Sequence, residues 1–190
     1  SLNMGGKNSL IIGSGVIGSY LAKLLLSKKQ NIIVTTRKFK KNYKNYNKLN
    51  IQQKVIFEKL NTLRKKDILK IIKKYEPSNI FYFSGQSSLT KSVHLKKATN
   101  DSNYIGAKKF LEVLYKNKIK SKFYKANSGY IFKQKNGLIN LRSKLSTNNN
   151  PYICSQIKIY KEIKKFKKKG INCSSLIFLQ VESPLRDNNF

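Results

Sequence analysis

The chain has 190 residues, with 40 lysines and arginines against 8 acidic residues and a formal net charge of +32. This length allows one ordinary domain or two small ones. A hydrophobic share of 39%, with 11% aromatic residues, can form a core and argues against wholesale disorder. No apolar run approaches the roughly 20 residues of a membrane span, so we expect no membrane partner. Two cysteines, Cys154 and Cys173, are too few for a disulfide scaffold and favour a reducing, cytoplasmic location.

Lysine supplies nearly all of the positive charge. The chain has 36 lysines and 4 arginines, while asparagine and isoleucine each occur 21 times. Codons for these three residues can consist almost wholly of A and T, so an AT-rich genome would produce this composition on any surface. Proteins that read nucleic acids usually recruit arginine, whose planar fork suits phosphates and guanine edges. Compositional drift and a nucleic-acid-binding surface therefore compete as explanations of the charge.

Short apolar runs alternate with amphipathic segments of helical spacing along the chain. The predicted elements are strand Asn8–Ile12, helix Val16–Ser27, strand Asn31–Thr36, polar loop Lys38–Asn50, strand Lys54–Phe57, helix Lys66–Tyr75, strand Asn79–Phe83, helix Asn103–Asn117, strand Lys122–Ala126, helix Pro151–Lys169 and strand Ser174–Leu179. This alternation predicts an α/β fold with a doubly wound parallel sheet, a Rossmann-like dinucleotide-binding domain over residues 1–190.

A glycine-rich sequence follows the first predicted strand directly and opens the first helix. It reads Gly13-Ser14-Gly15-Val16-Ile17-Gly18, which is Gly-x-Gly-x-x-Gly. Glycines permit a tight turn and a close approach to pyrophosphate, whose charge then meets the helix N-terminus. We expect Gly13, Gly15, Val16, Ile17 and Gly18 to bind a dinucleotide. The alternative is a turn that only packs the helix on the strand.

The end of the second predicted strand distinguishes between cofactors. NAD-binding proteins place a carboxylate there for the ribose, whereas NADP-binding proteins place a basic residue for the 2′-phosphate. Here Arg37 and Lys38 follow the strand, and no acidic residue occurs before Glu58. The pattern favours NADP, with NAD as the alternative, although the general lysine excess would put a base near most loops.

Several segments together resemble the extended short-chain dehydrogenase/reductase superfamily of nucleotide-sugar epimerases and dehydratases, and more narrowly the GDP-mannose 4,6-dehydratases. Gly15–Leu21 is similar to that family's glycine turn, and Ile80–Ser87 to its fourth strand with an Ala-Gln-Ser turn. Asn103–Gly106 fits an Asn-x-x-Gly helix, and Pro151-Tyr152 stands where the family has Pro-Tyr. Glu182–Phe190 is similar to the family segment Glu-Ser-Pro-Arg-Arg-Gly-Glu-Asn-Phe.

The resemblance implies a hydride-shuttling dehydratase. Tyr152 would deprotonate the sugar 4-hydroxyl while NADP⁺ accepts hydride from C4, and Ser128 would hold the reacting hydroxyl. Loss of the 6-hydroxyl and return of the hydride to C6 would follow. The tyrosine normally relies on a lysine four residues later, one helical turn away, to lower its pKa.

The resemblance also implies ligand contacts from several turns. Those to the cofactor would come from Asn61, Ser84, Gly85, Gln86 and Arg186, and those to a nucleotide-sugar substrate from Ser87, Ser88, Glu182 and Ser183. Gln86 and Ser87 follow the fourth strand, where doubly wound sheets bind ligands. Relatives commonly form dimers or tetramers, so we also expect a homo-oligomer.

The sequence departs from the family at positions that matter for catalysis. Gln156 replaces the lysine of Tyr-x-x-x-Lys; its amide can bind a ribose but cannot act on the tyrosine as an ammonium would. Tyr130 stands at the active-site glutamate, and Asn61 at the adenine-contacting aspartate. Lys158, six residues after Tyr152, lies on a different face of the helix and cannot substitute.

The family continues beyond the position of Phe190 with a smaller substrate-binding domain, so we expect that domain to be absent or truncated here. A fragment of a longer enzyme, a degenerate paralogue and an NADP-binding remnant all remain open. A second hypothesis is a catalytically retired NADP-binding protein whose basic surface binds RNA or another polyanion. No metal site is predicted, because Cys154 and Cys173 lack metal-ligand spacing and a partner histidine.

Overall fold

Six parallel strands form one sheet in the order β3-β2-β1-β4-β5-β6. The structure is a computed structural model that describes residues 2, 4–85, 88–134, 138–139 and 142–179. The strands are β1 Asn8–Ile12, β2 Asn31–Thr36, β3 Ile56–Lys59, β4 Asn79–Tyr82, β5 Lys122–Ser128 and β6 Cys173–Phe178. The strand order reverses between β1 and β4, which confirms the predicted doubly wound, Rossmann-like sheet.

Helices cover both faces of this sheet. They are α1 Val16–Ser27, α2 Lys44–Lys48, α3 Lys65–Tyr75, α4 Leu89–His94, α5 Lys96–Asn100, α6 Gly106–Lys116 and α7 Pro151–Lys168. A π-helical turn, Asp101–Ile105, joins α5 to α6. Alternate strand residues belong to two core clusters: Leu10 and Ile12 pack with α3, α6 and α7, whereas Ile11 packs with α1 and α2. A strand buried on both faces reads as a continuous apolar run, as β1 does.

The structure differs from the sequence prediction in several regions. Helices α4 and α5 form where no element is predicted, and the third strand is Ile56–Lys59 rather than Lys54–Phe57. The predicted loop Lys38–Asn50 contains helix α2, because Tyr43 and Tyr46 are buried and pack on Phe57 of β3, with 3.7 Å between the Tyr43 and Phe57 ring centroids. The helix predicted to begin at Asn103 begins inside the π-helical turn, where the Ser102 carbonyl accepts a hydrogen bond from the buried Tyr82 hydroxyl.

Candidate cofactor and active site

The turn between β1 and α1 brings glycine backbone against the end of the neighbouring strand. Gly13 has a φ of +100°, and its N–H donates to the Thr35 carbonyl at 3.2 Å. A Cβ on Gly13 would approach the Ser84 backbone to 3.0 Å, so both conformation and space favour glycine here. The turns after β1 and β4 therefore lie side by side at the carboxyl edge of the sheet.

The first turn of α1 has the features of a phosphate site. Its N-cap residue, Gly15, makes no side-chain cap, and the turn contains no acidic residue. A Cβ added to Gly15 would meet no heavy atom within 4 Å, so the space beside the turn is open. Backbone N–H groups at a helix N-terminus attract phosphate, so Gly15, Val16 and Ile17 fit a dinucleotide pyrophosphate. Gly18 is buried against Ile11 and packs α1 on the sheet.

Basic side chains follow β2, and the acidic side chain on the neighbouring strand β3 is bound to α3. Arg37 and Lys38 are exposed. Glu58 on β3 accepts hydrogen bonds from Lys74 and Tyr75 of α3. Partial burial opposes its ionisation, but these hydrogen bonds and the Lys74 charge lower the pKa of Glu58. Glu58 is thus held toward α3, and the end of β2 stays basic.

Asn61, the residue at the position of the family's adenine-contacting aspartate, is exposed after β3. Its Oδ1 accepts a hydrogen bond from the Leu63 N–H at 3.0 Å, and its carbonyl accepts one from the Arg64 N–H at 3.1 Å. These bonds shape the turn into α3. The amide also has N–H donors that a purine nitrogen can accept.

The turn after β4 packs closely against the π-helical turn. Gly85 has a φ of +142°, and a Cβ there would overlap the side-chain amide of Asn103. Asn103 is only 2% exposed, and its Nδ2 donates to Ser155 Oγ on α7 at 3.2 Å. The contact from β4 through Asn103 to α7 therefore needs a residue without a side chain at position 85.

A second set of contacts holds the start of α7. Asn150 is its N-cap residue: Oδ1 accepts the Tyr152 N–H at 2.9 Å and the Ser92 hydroxyl at 3.1 Å. Asn150 Nδ2 donates to the Leu89 carbonyl at 3.1 Å. Pro151 occupies the first helical turn, where a missing N–H costs nothing. The position of Tyr152 is therefore tied to α4 as well as to the sheet.

Tyr152 and Gln156 come together on the buried side of α7, as their spacing predicts. They are 8% and 4% exposed, and Gln156 Nε2 lies 3.5 Å from Tyr152 Oη. Gln156 Oε1 accepts a hydrogen bond from Lys125 Nζ at 3.0 Å, and Asn127 Nδ2 donates to the Gln156 carbonyl at 3.0 Å. Two side chains near the end of β5 thus hydrogen-bond to Gln156.

Sequence reasoning did not single out Lys125. This side chain is 2% exposed, donates to the Ala126 carbonyl and lies with Nζ 5.7 Å from the Tyr82 ring centroid. Burial lowers its pKa to about 7. The available signal was the period of two in β5: Phe123, Lys125 and Asn127 alternate with outward residues, so Lys125 occupies a position that faces the core.

Ser128 ends β5 and is 7% exposed. Its Oγ accepts the Tyr130 N–H at 3.1 Å and caps a 3₁₀ turn over Gly129–Ile131. A hydroxyl that accepts in this way keeps its own hydrogen to donate. Tyr130, at the position of the family's glutamate, is 50% exposed. It has no carboxylate with which to accept a proton.

The remaining candidate residues are partly outside the described structure. Ser88 caps α4 by accepting the Lys91 N–H at 3.2 Å. The predicted cofactor and substrate contacts that lie outside the described residues are Gln86, Ser87, Glu182, Ser183 and Arg186. Those assignments stay predictions.

Other features of the described chain do not add to this site. Burial raises the pKa of the Cys173 thiol to about 11. Within the described residues, no group of three or more His, Cys, Asp or Glu could hold a metal ion, and no helix is long and apolar enough to cross a membrane. A hollow of about 210 Å³ beside Ile119 and Ile171 lies at the opposite, amino edge of the sheet.

The sheet order and the glycine turn at its carboxyl edge define a Rossmann-like α/β protein. The chain belongs to the NAD-dependent epimerase/dehydratase family, whose model matches residues 10–190. A comparison with curated protein sequences gives no match.

Solved structures similar to this chain include enzymes with different substrates. UDP-glucose 4-epimerase from Thermotoga maritima, solved with UDP-glucose, has a TM-score of 0.79 and 20% identity over 96% of this chain and 59% of its own. dTDP-glucose 4,6-dehydratase from Streptomyces venezuelae, solved with NAD, has a TM-score of 0.76 and 16% identity over 90% and 55%. L-threonine dehydrogenase from Clostridium difficile has a TM-score of 0.77 and 24% identity over 91% and 53%. This chain therefore spans between half and three fifths of their lengths.

The contact between Gly85 and Asn103 can be tested by adding one methyl group. We expect Gly85→Ala to lower the free energy of unfolding by about 1–3 kcal/mol, because the φ of +142° is strained for alanine and Asn103 must move. Gly5→Ala, where a Cβ meets no neighbouring atom, is the control. Urea denaturation measures both, and equal stability of the two variants would contradict this account.

The buried amine of Lys125 should make stability depend on pH. The pKa falls from an ordinary 10.5 to about 7 on folding, so between these values the unfolded chain binds more protons. Stability of the native sequence should therefore rise with pH in this window, by at most about 1.4 kcal/mol per pH unit. Relative to Lys125→Met, the native protein should gain stability from pH 7 toward pH 10 and show a constant difference below pH 7. A difference that is flat across the whole range, measured by urea denaturation at each pH, would contradict a shifted Lys125.

Proposed function

We propose that this chain is the cofactor-binding part of a nucleotide-sugar dehydratase or epimerase that acts in the manner of the GDP-mannose 4,6-dehydratases. The observation that carries the proposal is the placement of Tyr152. Its hydroxyl lies beside Gln156 at the start of α7, which packs on the carboxyl half of β5. The glycine turn that fits a dinucleotide lies at the same edge of the sheet. Similar structures solved with NAD and with UDP-glucose support this class of ligands.

We infer that the cofactor is NADP. Arg37 and Lys38 are exposed at the end of β2, and Glu58 is held by Lys74 and Tyr75 rather than directed to a ribose. A 2′-phosphate would meet positive charge there, whereas the ribose hydroxyls of NAD would meet no carboxylate.

Residues at the carboxyl edge of the sheet have separate roles in the proposed oxidation at the sugar C4. A bound nicotinamide supplies hydride acceptance at the sugar C4. Tyr152 Oη takes the proton from the 4-hydroxyl, and Ser128 Oγ donates a hydrogen bond that orients the same oxygen. The Gln156 amide lies with Nε2 3.5 Å from Oη and orients the phenol. Burial of Tyr152 and Gln156 keeps water from this proton transfer.

The position of the active-site glutamate carries Tyr130, which cannot act as a carboxylate base at C5. A chain with this residue can complete oxidation at C4 but needs another group for elimination of the 6-hydroxyl. The proposal therefore gives oxidation and reduction at C4 to the residues described here, and elimination to a group elsewhere. A homo-oligomer and a cytoplasmic location belong to the same proposal.

The distribution of lysine bears on the alternative of an RNA-binding surface. Each helix from α1 to α7 carries lysine, from Lys23 on α1 to Lys168 on α7. Charge gathered on one face would favour a polyanion partner, whereas this distribution favours a solvated surface. We therefore rank the enzyme proposal first.

Selectivity for NADP tests the role of Arg37. We expect Arg37→Ala to weaken NADPH binding about tenfold or more while changing NADH binding less, because loss of the guanidinium removes a charge-assisted bond to phosphate. Fluorescence titration of the nicotinamide measures both affinities. Lys116→Ala, an exposed change at the end of α6, is the control. Tighter binding of NADH than NADPH by the native chain would overturn the NADP proposal.

Turnover tests the role of Tyr152. The protein encoded by the complete reading frame should convert GDP-mannose to its 4-keto-6-deoxy product, and Tyr152→Phe should lower kcat by about 10²–10⁴ because the proton acceptor is lost. Chromatography of the sugar nucleotides measures the product. Tyr115→Phe on the exposed side of α6 is the matched control. Absence of product from GDP-mannose with the native protein would reject this substrate, and full activity of Tyr152→Phe would reject the assigned base.

A further inference from the structure

A buried lysine lies beside the position from which the lysine of Tyr-x-x-x-Lys is missing. Gln156 occupies that position, and Lys125 reaches it from β5 with Nζ 3.0 Å from Gln156 Oε1. Lys158, the next lysine along α7, is exposed and lies with Nζ 5.6 Å from the Tyr104 ring. A lysine amine from the adjacent strand therefore contacts the residue that replaces the helix lysine.

The chemistry of lysine fixes the orientation of the Gln156 amide. A lysine amine donates hydrogen bonds, and its ammonium form has no lone pair with which to accept one. With Lys125 protonated, the Gln156 oxygen faces Lys125, and Nε2 lies 3.5 Å from Tyr152 Oη and 3.5 Å from the Ala126 carbonyl. A hydrogen bond donated to Oη stabilises the phenolate, whereas a reversed amide would accept from the phenol and stabilise the neutral form.

The geometry points to Lys125 as the positioning residue of this site: through Gln156 it favours ionised Tyr152, which is the task of the lysine in the Tyr-x-x-x-Lys pattern. This inference rests on the proposed role of Tyr152 as the base. It makes the substitution at position 156 a relocation of the lysine to β5.

The surroundings of Lys125 allow this role. The titratable group that faces it is Tyr82 on β4, its register partner on β6 is Ser175, and Gln156 lies between it and Tyr152. Burial raises the pKa of Tyr82. A hydrogen bond with Thr62 and the charge of Arg37 lower it by less, so Tyr82 stays neutral. No ion pair with a carboxylate holds Lys125 in the described residues. The Gln156 amide is therefore the contact through which Lys125 acts on Tyr152.

Titration of Tyr152 in the protein without substrate or cofactor tests the inference. Tyrosine labelled with ¹³C at Cζ reports each phenol by NMR, and Tyr152→Phe identifies the Tyr152 resonance. The variants are Lys125→Met, Gln156→Leu, and the exchange of the two residues in Lys125→Gln/Gln156→Lys. Lys122→Met is the matched control, because Lys122 lies on the same strand but is exposed. Circular dichroism confirms that each variant is folded.

We expect Lys125→Met and Gln156→Leu each to raise the pKa of Tyr152 by about one pH unit or more. The exchanged double variant should return it to the native value or below, and Lys122→Met should leave it unchanged. A native Tyr152 pKa in both Lys125→Met and Gln156→Leu, or no recovery in the exchanged variant, would overturn the inference. If Lys125→Met does not fold, Gln156→Leu and the exchanged variant still decide the result.

Kinetics separate this inference from the proposed function. Where the native protein turns over its substrate, the acidic limb of the kcat profile should move to higher pH in Lys125→Met, with KM nearly unchanged. Turnover by the native protein with an unchanged Tyr152 titration in Lys125→Met and Gln156→Leu would reject the role of Lys125 alone. A shifted titration without any turnover would reject the proposed function and leave the link between Lys125 and Tyr152 in place.

Discussion

The buried amine of Lys125 constrains the carboxyl edge of β5 and its contact with α7. Removing an amine from water is costly unless acceptors surround it. Here the acceptors are the Ala126 carbonyl and Gln156 Oε1, with the Tyr82 ring at 5.7 Å. Each of these partners is itself fixed by β4, β5 or α7. The acceptors of this one nitrogen therefore link β5 to α7 at Gln156.

A separate set of contacts keeps α7 in place for that arrangement. Asn150 ties its first turn to Ser92 of α4, and Asn103 ties its second turn to the π-helical turn through Ser155. Gly85 allows the Asn103 contact by leaving the space that a side chain would fill. Glycine in the turn after β4 and asparagine in the π-helical turn thus form one structural unit, although 18 positions separate them in the sequence.

The sequence was sufficient to predict the sheet and the glycine turn, because both depend on local patterns. Apolar runs such as Asn8–Ile12 indicate strands buried on both faces, and Gly13 through Gly18 indicate the turn. Helix α2 was not predictable in this way. Its polar sequence has no continuous apolar stripe, and its stability depends on Tyr43 and Tyr46 packing against Phe57, which is distant in the chain. The partnership of Lys125 with Gln156 depends on the same kind of distant contact, across 31 positions.

Composition and burial give different information about the lysines of this chain. An excess of lysine from biased codons places side chains wherever they cost little, which is on exposed faces of helices such as α7. Such drift does not place a lysine at 2% exposure in a central strand, because desolvation opposes it. A buried lysine beside the position that lost one therefore needs a specific explanation that 35 other lysines do not. The proposed exchange of a lysine between neighbouring positions keeps an amine in contact with residue 156 while changing the local motif. A pattern that looks degenerate along the sequence can in this way remain complete in space.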